Sequence, residues 1–518
     1  MSLARDVTTM GSATLASRLL GFFRDMGIAA VLGTGAFADA FFAVLQIVNF
    51  FRRLLAEGAL NAAFVPLWLR IKSTEGERGA SRFLQQVFGA MLLAVSALAL
   101  LGLWFAPGVI DLLAPGFGGD RQALAADYLR IAAPYVALAG VVAILAAVLN
   151  AEARFVAVAL GVVAFNAVLL AALAWAAAVD RLSPSASAVT FAHAVVLAGI
   201  AQLLVTGAGC LRLPLRMLPL QFGFTPETRR FFTRAVPGLV AAGIPQMKLI
   251  AGAMIASSSP AAVSWLYYAN RLYELPLGVA SIATASVLVP AIAASVRGGR
   301  PIDIAAAQSR GFEIALGLAL PAAVAFAVLA EPIARALFER GAFRPGDTAA
   351  VAAALTAICA GLPGHALEKV LGAVSFAHED TRTPMLAALA GLAAAVAGAL
   401  ALFPRYGAVG VAAAIAISGW VGATLLGVIL GRRGWLALDR NAARRLPGIV
   451  LAALVMGIVI LCMNQLLAAL SLAIGSELGR IVSLALLVAA GLGGYLAGLQ
   501  ALVVARIRDF LAAIRPRI

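Results

Sequence analysis

The chain has 518 residues, of which 63% are hydrophobic and 12% are charged. Water-soluble domains average about 45–50% apolar and about 25% charged residues, so this composition excludes a soluble globular protein. The formal net charge is +15, but most basic residues stand in short segments between apolar runs, as the positive-inside rule requires of a membrane protein. Nucleic acid is therefore not expected as a partner.

In chain order, apolar runs alternate with short charged or Gly/Pro-rich segments, and each run can form a helix of the roughly 20 residues that cross a bilayer. We predict an all-α integral membrane protein with about fourteen transmembrane helices. The spans are expected near 8–32, 37–68, 84–113, 124–149, 156–179, 187–211, 235–257, 263–294, 308–338, 347–376, 384–404, 408–431, 446–470 and 480–505.

Two arginine-rich linkers, 212–234 and 432–445, divide these helices into three groups. We expect an N-lobe of helices 1–6 over residues 1–220, a C-lobe of helices 7–12 over 221–440, and helices 13–14 over 441–518. With the N-terminus in the cytoplasm, most loop arginines and lysines fall on the cytoplasmic side. An even number of spans then places both termini in the cytoplasm.

Residues that could carry out enzymatic chemistry are sparse. Cys210, Cys359 and Cys462 lie far apart in apolar runs, so neither a disulfide nor a metal site is predicted. The three histidines are dispersed, and no glycine-rich phosphate loop followed by Lys and Ser or Thr occurs. We therefore expect no cofactor and no enzymatic activity. We also expect no cleavable signal peptide, because the first apolar run contains Arg18 and Arg24.

Polar and charged residues concentrate in four of the predicted spans, although an arginine at the bilayer centre costs roughly 2.5–3.5 kcal/mol. Arg53 is one turn from both Asn49 and Glu57, and Arg271 is three residues from Glu274, so part of this charge can be neutralised locally. The surplus is positive, and guanidinium groups bind phosphate oxygens in pairs. The pattern therefore predicts a cavity for a polyanion. The residues concerned are Ser17, Arg18, Arg24, Asp25, Asp39, Gln46, Asn49, Arg52, Arg53, Glu57, Lys248, Asn270, Arg271 and Glu274.

Two alternatives stay open at this point. An arginine near a span end can extend its charge to the interface, and one inside a span can belong to a structural ion pair. Both apply most to Arg24, Asp25 and the Arg53–Glu57 pair. Pro276 and Gly278 follow Arg271 within the eighth span and predict a hinge for alternating access, with a purely structural kink as the alternative.

Five stretches resemble the MurJ (MviN) lipid II flippase family, and the resemblance covers nearly the whole chain. They are Ser17–Asp25, Asp39–Pro66, Ser264–Val279, Phe338–Phe343 and Asp380–Pro384. The resemblance implies the fold of the multidrug/oligosaccharidyl-lipid/polysaccharide exporters, with two six-helix lobes in a V around a cationic cavity. Helices 13 and 14 would line a groove for the lipid tail.

The same resemblance implies a substrate and roles for individual residues. The substrate would be lipid II, an undecaprenyl-pyrophosphate-linked muropeptide, moved from the inner to the outer leaflet of a bacterial inner membrane that also supplies surrounding lipid. Cell-division or elongation proteins would be further partners. Arg18, Arg24 and Arg271 match positions proposed to hold the pyrophosphate region. Other polar cavity or gate positions are matched by Arg52, Asp39, Ser17, Asn49, Glu57 and Glu274, and ion-pair roles fall to Asp25 and Arg53.

Some relatives have a sodium site built from carboxylates in spans 7 and 11, whereas this chain has Lys248 in span 7 and no carboxylate in span 11. Sodium coupling is therefore not supported. The alternative functions are an exporter of another lipid-linked oligosaccharide or of drugs, an intramembrane transferase, and a scaffold for the cell-wall machinery. An exporter of cations needs acids in its cavity and a transferase needs clustered acids or histidines, and the sequence shows neither pattern.

Overall fold

The computed structural model describes residues 17, 19–56, 59–179, 183–214, 221, 225–284, 288–469 and 477–502. These residues form α-helices joined by short turns and, over the ranges just given, contain no β-strand. The predicted all-α class is therefore confirmed. The chain forms two compact units, one of the described residues up to Ser264 with Arg340–Phe343, and one of Trp265–Glu339 with the described residues from Arg344 onward.

The first unit contains α1 (19–32) and eight further helices, together with the first residues of α10. Large aromatic side chains fill its core at the packing of α3 on α9, where Phe64 stacks on Trp68 with ring centroids 5.5 Å apart and meets Phe231 edge-on at 6.2 Å. Such pairs add to the gain from burying their area. The helices are α2 (Ala36–Ala56), α3 (Ala59–Trp104), α4 (Ala106–Leu113), α5 (Asp120–Ala132), α6 (Pro134–Ala151), α7 (Phe155–Ala178), α8 (Pro184–Leu211) and α9 (Pro226–Ala256).

The second unit contains most of α10 and seven further helices. Small residues let α16 and α17 approach each other closely, since a Cβ added at Gly491 would lie 2.8 Å from Ile460. Tyr495 of α17 donates its hydroxyl to the Gly317 carbonyl of α12 at 2.8 Å. The helices are α10 (Ala262–Ala283), α11 (Val289–Gly298), α12 (Pro301–Phe338), α13 (Pro345–Cys359), α14 (Leu362–Ala377), α15 (Arg382–Arg432), α16 (Ala442–Ala469) and α17 (Glu477–Ala501).

Nine segments of the described residues are long and apolar enough to cross a membrane. One of them, Arg382–Arg432, has 51 residues, about twice the length that a bilayer requires, and it is divided at Gly407, whose φ of 53° is disfavoured for other residues. The remaining predicted spans, α1, α2, α9 and α10, carry charged side chains that lower their hydropathy. With α15 counted twice, these helices agree with the prediction of about fourteen spans.

Several boundaries differ from the predicted ones. The seventh span begins at Pro226 rather than near 235, because Thr225 accepts a hydrogen bond from Thr228 N and Pro226 suits the first helical position. The tenth span is two helices, α13 and α14, interrupted at Ala360 and Gly361. The boundary between the compact units falls within α10, and the predicted lobe limits at residues 220 and 440 stay predictions.

Asp380 organises the start of α15 outside the membrane-spanning segments. Its carboxylate accepts hydrogen bonds from the backbone N–H groups of Arg382 and Thr383 at 2.9 and 3.1 Å, and from the side chains of Thr383 and Arg433. The Thr383 hydroxyl, with the backbone donors and Arg433, lowers the pKa of Asp380 to about 2. The ionised carboxylate is thus the form that the fold requires.

Replacing Asp380 with Asn should lower the stability of the folded chain at neutral pH by about 1–2 kcal/mol, because the cap and the Arg433 pair are weakened. Because the folded pKa lies below the ordinary value of about 3.9, this contribution is full above about pH 4 and is lost as the pH falls through about 2. Thermal unfolding in detergent, followed with a dye that reacts with the buried Cys210 and Cys359, measures the difference. The exposed Glu379→Gln change is the control, and equal melting temperatures for Asp380→Asn and wild type would contradict the prediction.

Candidate functional site

Arg24 and Asp25 form a buried ion pair in α1. Arg24 is 6% exposed and Asp25 is fully buried, and the Arg24 Nε and Nη2 atoms donate to Asp25 Oδ1 at 2.9 and 2.7 Å. Arg24 Nη1 also donates to the side-chain oxygen of Asn166 at 3.3 Å. The guanidinium is therefore held from two sides, by a carboxylate of its own helix and by an amide of α7.

Asn166 connects this pair to the beginning of α1. Its Nδ2 lies 3.3 Å from the Ser17 carbonyl, 3.4 Å from the Ser17 hydroxyl and 3.2 Å from the Val162 carbonyl. Asn166 was not among the predicted site residues, although it is the one amide side chain in the apolar α7. A lone amide in a predicted span was the available signal, because hydrocarbon offers it no hydrogen-bond partner.

Arg52 and Arg53 occupy adjacent positions near the end of α2. Arg52 Nε donates to Asn49 Oδ1 at 3.3 Å, and Arg53 Nη1 donates to Gln246 Oε1 of α9 at 3.4 Å. Both acceptors are neutral amides, so these two contacts orient the guanidinium groups without cancelling their charge. Arg52 thus has a neighbour at helical spacing that the sequence analysis had not assigned to it.

Asp39, at the other end of α2, binds the turn that leads into α10. Its two carboxylate oxygens accept from Ala261 N at 2.7 Å, from Ser264 N at 2.9 Å and from the Ser264 hydroxyl at 2.8 Å. Arg121 of α5 lies 3.8 Å from the same carboxylate. Asp39 is fully buried, so these donors replace the water that an ionised carboxylate would otherwise require.

Arg121 forms hydrogen bonds with two turns beside Asp39. Its guanidinium donates to the carbonyls of Ser257 and Gly116 at 3.3 Å each, and Gly116 N donates to the Ser257 hydroxyl at 2.8 Å. A Cβ at Gly116 would lie 2.1 Å from Ser258 N, so no larger residue fits here. We refer to Asp39, Gly116, Arg121, Ser257 and Ser264 as the Asp39 cluster.

The turn Arg340–Phe343 packs against the end of α1 in the first unit. Ala342 N donates to the Ala30 carbonyl at 2.8 Å. A Cβ at Gly33 would lie 2.5 Å from the Ala342 carbonyl oxygen, and one at Gly341 would lie 2.2 Å from the Ala30 oxygen. Both glycines have φ of 59°, so the close backbone approach depends on glycine at both positions.

In the second unit, α10 carries its own pair of charges. Arg271 Nη1 lies 3.3 Å from Glu274 Oε2, and Asn270 Nδ2 donates to Glu274 Oε1 at 3.3 Å. The Arg271 and Glu274 side chains are 24% and 23% exposed, so the pair is accessible. Pro276 and Gly278 follow within α10, which continues to Ala283, and the predicted hinge stays a prediction.

The structure thus brings Ser17, Arg24 and Asp25 together, joins Asn49 to Arg52, and places Asp39 in a separate cluster. Arg18 and Glu57 lie outside the described residues. Lys248 of α9 is 6% exposed and has interactions of its own. Within the described ranges, no group of three or more His, Cys, Asp or Glu side chains is placed to hold a metal ion.

Helices of this length and hydropathy define a polytopic membrane protein, and comparison with solved structures shows which fold it shares. A structure titled as an inward-facing MATE family multidrug transporter of the MOP superfamily matches with a TM-score of 0.66 and 14% identity, over 81% of this chain and 94% of that one. A lipid II flippase MurJ in an inward closed conformation matches with a TM-score of 0.76 and 23% identity, over 95% and 99% of the two chains.

Sequence comparison identifies the family within this class. The family model for the lipid II flippase MurJ matches residues 28–481. A probable lipid II flippase MurJ of Rhizobium meliloti is 40% identical over 461 residues, which cover 88% of this chain and 86% of that protein. The chain belongs to the MurJ lipid II flippase family, and the resemblance seen in the sequence is confirmed.

Replacing Asp39 with Asn should loosen the start of α10. An amide in this place loses the charge-assisted bonds from Ala261 N and Ser264 N and the pairing with Arg121, and each bond to a charged group contributes about 1.5–3 kcal/mol. We expect hydrogen exchange of the amides in residues 257–266 to become about 30-fold faster, measured by mass spectrometry.

The Asp120→Asn change removes an exposed carboxylate from the start of α5 and serves as the control for charge. Exchange in residues 257–266 should then stay at the wild-type rate. If Asp39→Asn also left that rate unchanged, the carboxylate would not be what holds the turn.

Proposed function

We propose that the chain is a flippase that moves lipid II from the inner to the outer leaflet of the bacterial cytoplasmic membrane by alternating access. Membership of the lipid II flippase family supports the substrate. The observation that carries the mechanism is the buried Arg24 guanidinium within a membrane helix, held in place by Asp25 and Asn166. The proposed activity breaks no covalent bond and therefore needs no catalytic residue.

The arginines replace the hydrogen bonds that a diphosphate loses when it leaves water. Each guanidinium presents several N–H donors in a planar fork that matches phosphate oxygens. In the first unit, we assign Arg24 and Arg52 to this role, with Ser17 and Asn49 as neutral polar neighbours, and we add Arg18 from the sequence resemblance. In the second unit, we assign Arg271.

Carboxylate partners neutralise two of these arginines when no lipid is bound. Asp25 pairs with Arg24, and Glu274 pairs with Arg271. A diphosphate can take the place of Glu274, which is partly exposed and keeps its hydrogen bond from Asn270, so that Arg271 exchanges one anionic partner for another. Binding then costs less than the exposure of an unpaired guanidinium in a medium of low dielectric constant would cost.

The Asp39 cluster is proposed to be a gate. The charge distribution supports an orientation with both termini in the cytoplasm, and in that orientation the Asp39 cluster and the turn Arg340–Phe343 lie at the outer face. Release of a headgroup to the outside would break the bonds of Asp39 to Ala261 and Ser264, at about 1.5–3 kcal/mol for each bond to the charged group. Lipid binding at the arginines is proposed to offset this cost.

Removing a diphosphate contact should abolish most of the transport without affecting insertion. Arg18→Ala, Arg24→Ala and Arg271→Ala should each lower lipid II translocation at least about tenfold, since a charge-assisted hydrogen bond contributes about 1.5–3 kcal/mol. Complementation of a flippase-depleted bacterium, with lipid II on the outer leaflet measured by an added enzyme that cannot cross the membrane, is the test.

Two further variants serve as controls for this experiment. Arg271→Lys keeps the charge but loses the fork, and it should transport at an intermediate rate. Arg130→Ala removes an exposed arginine that pairs with Asp127 on α5, and it should transport normally. Normal transport by Arg18→Ala, Arg24→Ala and Arg271→Ala would contradict the proposed function.

The proposed orientation predicts which loops an impermeant reagent reaches. In a chain whose three cysteines are replaced, Ser73→Cys lies on the exposed part of α3 assigned to the cytoplasm, and Asp120→Cys lies at the exposed start of α5 assigned to the outside. A membrane-impermeant maleimide should label Asp120→Cys in intact cells, and Ser73→Cys only after permeabilisation. The reverse pattern would invert the topology.

A further inference from the structure

A set of titratable side chains lies in the second unit, apart from the arginines assigned to the lipid, with Tyr273 buried and His365 and Glu368 half-buried. Tyr273 of α10 is 4% exposed, and its hydroxyl lies 2.7 Å from Nδ1 of His365 on α14. The two rings meet edge-on with centroids 5.9 Å apart. Glu368 follows His365 by three residues, so both lie on one face of α14.

Glycines of α15 make room for these side chains. A Cβ at Gly419 would lie 2.4 Å from His365 Nδ1, and a Cβ at Gly422 would lie 2.9 Å from the Glu368 carboxyl carbon. Any other residue at either position would displace the imidazole or the carboxylate. The backbone of α15 thus packs directly on both groups, as small residues permit in membrane helices.

His365 has two hydrogen-bond partners at one ring nitrogen. Nδ1 lies 2.7 Å from the Tyr273 hydroxyl and 3.0 Å from the Gly361 carbonyl. The contact with a carbonyl four residues earlier is ordinary, since His193 and His378 make the same one at 2.9 and 3.0 Å. Among these three histidines, the tyrosine contact belongs to His365.

The two partners suit two protonation states of the imidazole. A bare Nδ1 accepts the hydrogen of the Tyr273 hydroxyl. A protonated Nδ1 donates instead, either to the Gly361 carbonyl or to the Tyr273 oxygen, and the hydroxyl hydrogen must then turn elsewhere. The carboxylates of Glu274 and Glu368 lie within electrostatic range of Tyr273. One proton is added and one hydrogen bond reverses, with no oxidation or reduction.

The helices packed against α14 carry further charged groups. On α12, Glu313 pairs with Arg445 of α16, and α11 carries Arg297 in its last turn. On α15, the residues that contact His365 and Glu368 are the uncharged Gly419 and Gly422. Within electrostatic range of Tyr273 lie Glu274 on α10, Cys359 on α13 and Glu368 on α14. The exposed Lys369 follows Glu368 on α14.

Helix α10 connects this set to the proposed lipid site. Tyr273 stands between Arg271 and Glu274 in sequence, and Glu274 is the carboxylate that pairs with Arg271. Pro276 cannot donate a backbone hydrogen bond to the Leu272 carbonyl, which weakens the helix next to Tyr273. A change in the Tyr273 hydrogen bond can therefore bias the conformation of the segment that carries Arg271.

We propose that His365, with Tyr273 and Glu368, is a proton-binding site through which proton movement drives transport. The proposal rests on the proposed lipid translocation for its role, and on the contacts of His365 for its chemistry. Ionisable side chains inside membrane helices commonly form proton relays. Uptake from one aqueous side and release to the other would couple the proton gradient to the conformational cycle.

Transport in vesicles tests the coupling. The full-length chain is reconstituted with lipid II, and the membrane potential is held at zero with potassium and valinomycin. A pH gradient of about one unit is imposed, which corresponds to about a tenfold ratio of proton activity across the membrane. We expect reversal of the gradient to change the wild-type translocation rate at least about threefold. His365→Gln and Tyr273→Phe should lose this response, and His193→Gln should keep it.

A second measurement does not depend on transport. Carbon-13 labelling of the three histidine rings gives three NMR signals in detergent, and the His365 signal should shift as the pH is changed. Tyr273→Phe should change the His365 titration curve and leave those of His193 and His378 unchanged. An unchanged His365 curve, or a wild-type transport rate that ignores the gradient, would overturn the proposal. A chain that binds protons in this way but does not move lipid II would refute the proposed function instead.

Discussion

An ionised side chain inside the hydrocarbon layer must find its hydrogen bonds within the protein, because the surroundings offer none. Arg24 and Asp25 meet this requirement together, with Asn166 of α7 as the third member. The same contacts hold α1 against α7, since Asn166 also reaches Ser17 at the start of α1. A group that is costly to bury therefore determines how two helices pack.

In the Asp39 cluster, a buried carboxylate must likewise find its hydrogen bonds within the protein. The Asp39 carboxylate is buried among backbone N–H groups and Arg121, so the turn before α10 can stay in place only while those donors face it. Glycines at positions 33, 116 and 341 permit backbones to meet without intervening side chains. Bonds that are few, polar and localised can break and form as one event, which suits a gate better than a broad apolar interface.

Local sequence spacing was sufficient for some partners on one helix, although it did not predict the contact of Arg52 with Asn49. The proximity of Arg24 to Asp25, and of Arg271 to Glu274, follows from positions one and three residues apart. Asn166, Arg121 and Gln246 escaped prediction because each meets a partner far away in the sequence, and no helical period relates such positions. The Tyr273–His365 contact escaped for the same reason, since a dispersed histidine in the sequence carries no sign of its neighbour.

The sequence by itself determined the membrane class, the all-α fold, the approximate number of spans and the family, because hydropathy, charge bias and motifs are properties of local composition. The presence of arginines in the first two spans and in α10 was equally visible, since hydrocarbon normally excludes them. Only the tertiary structure decided which polar group satisfies which charge, where α9 begins, and where the tenth predicted span and α15 are interrupted. Those outcomes depend on hydrogen bonds between helices and on close backbone contacts at glycine, and they exist only once the helices have packed.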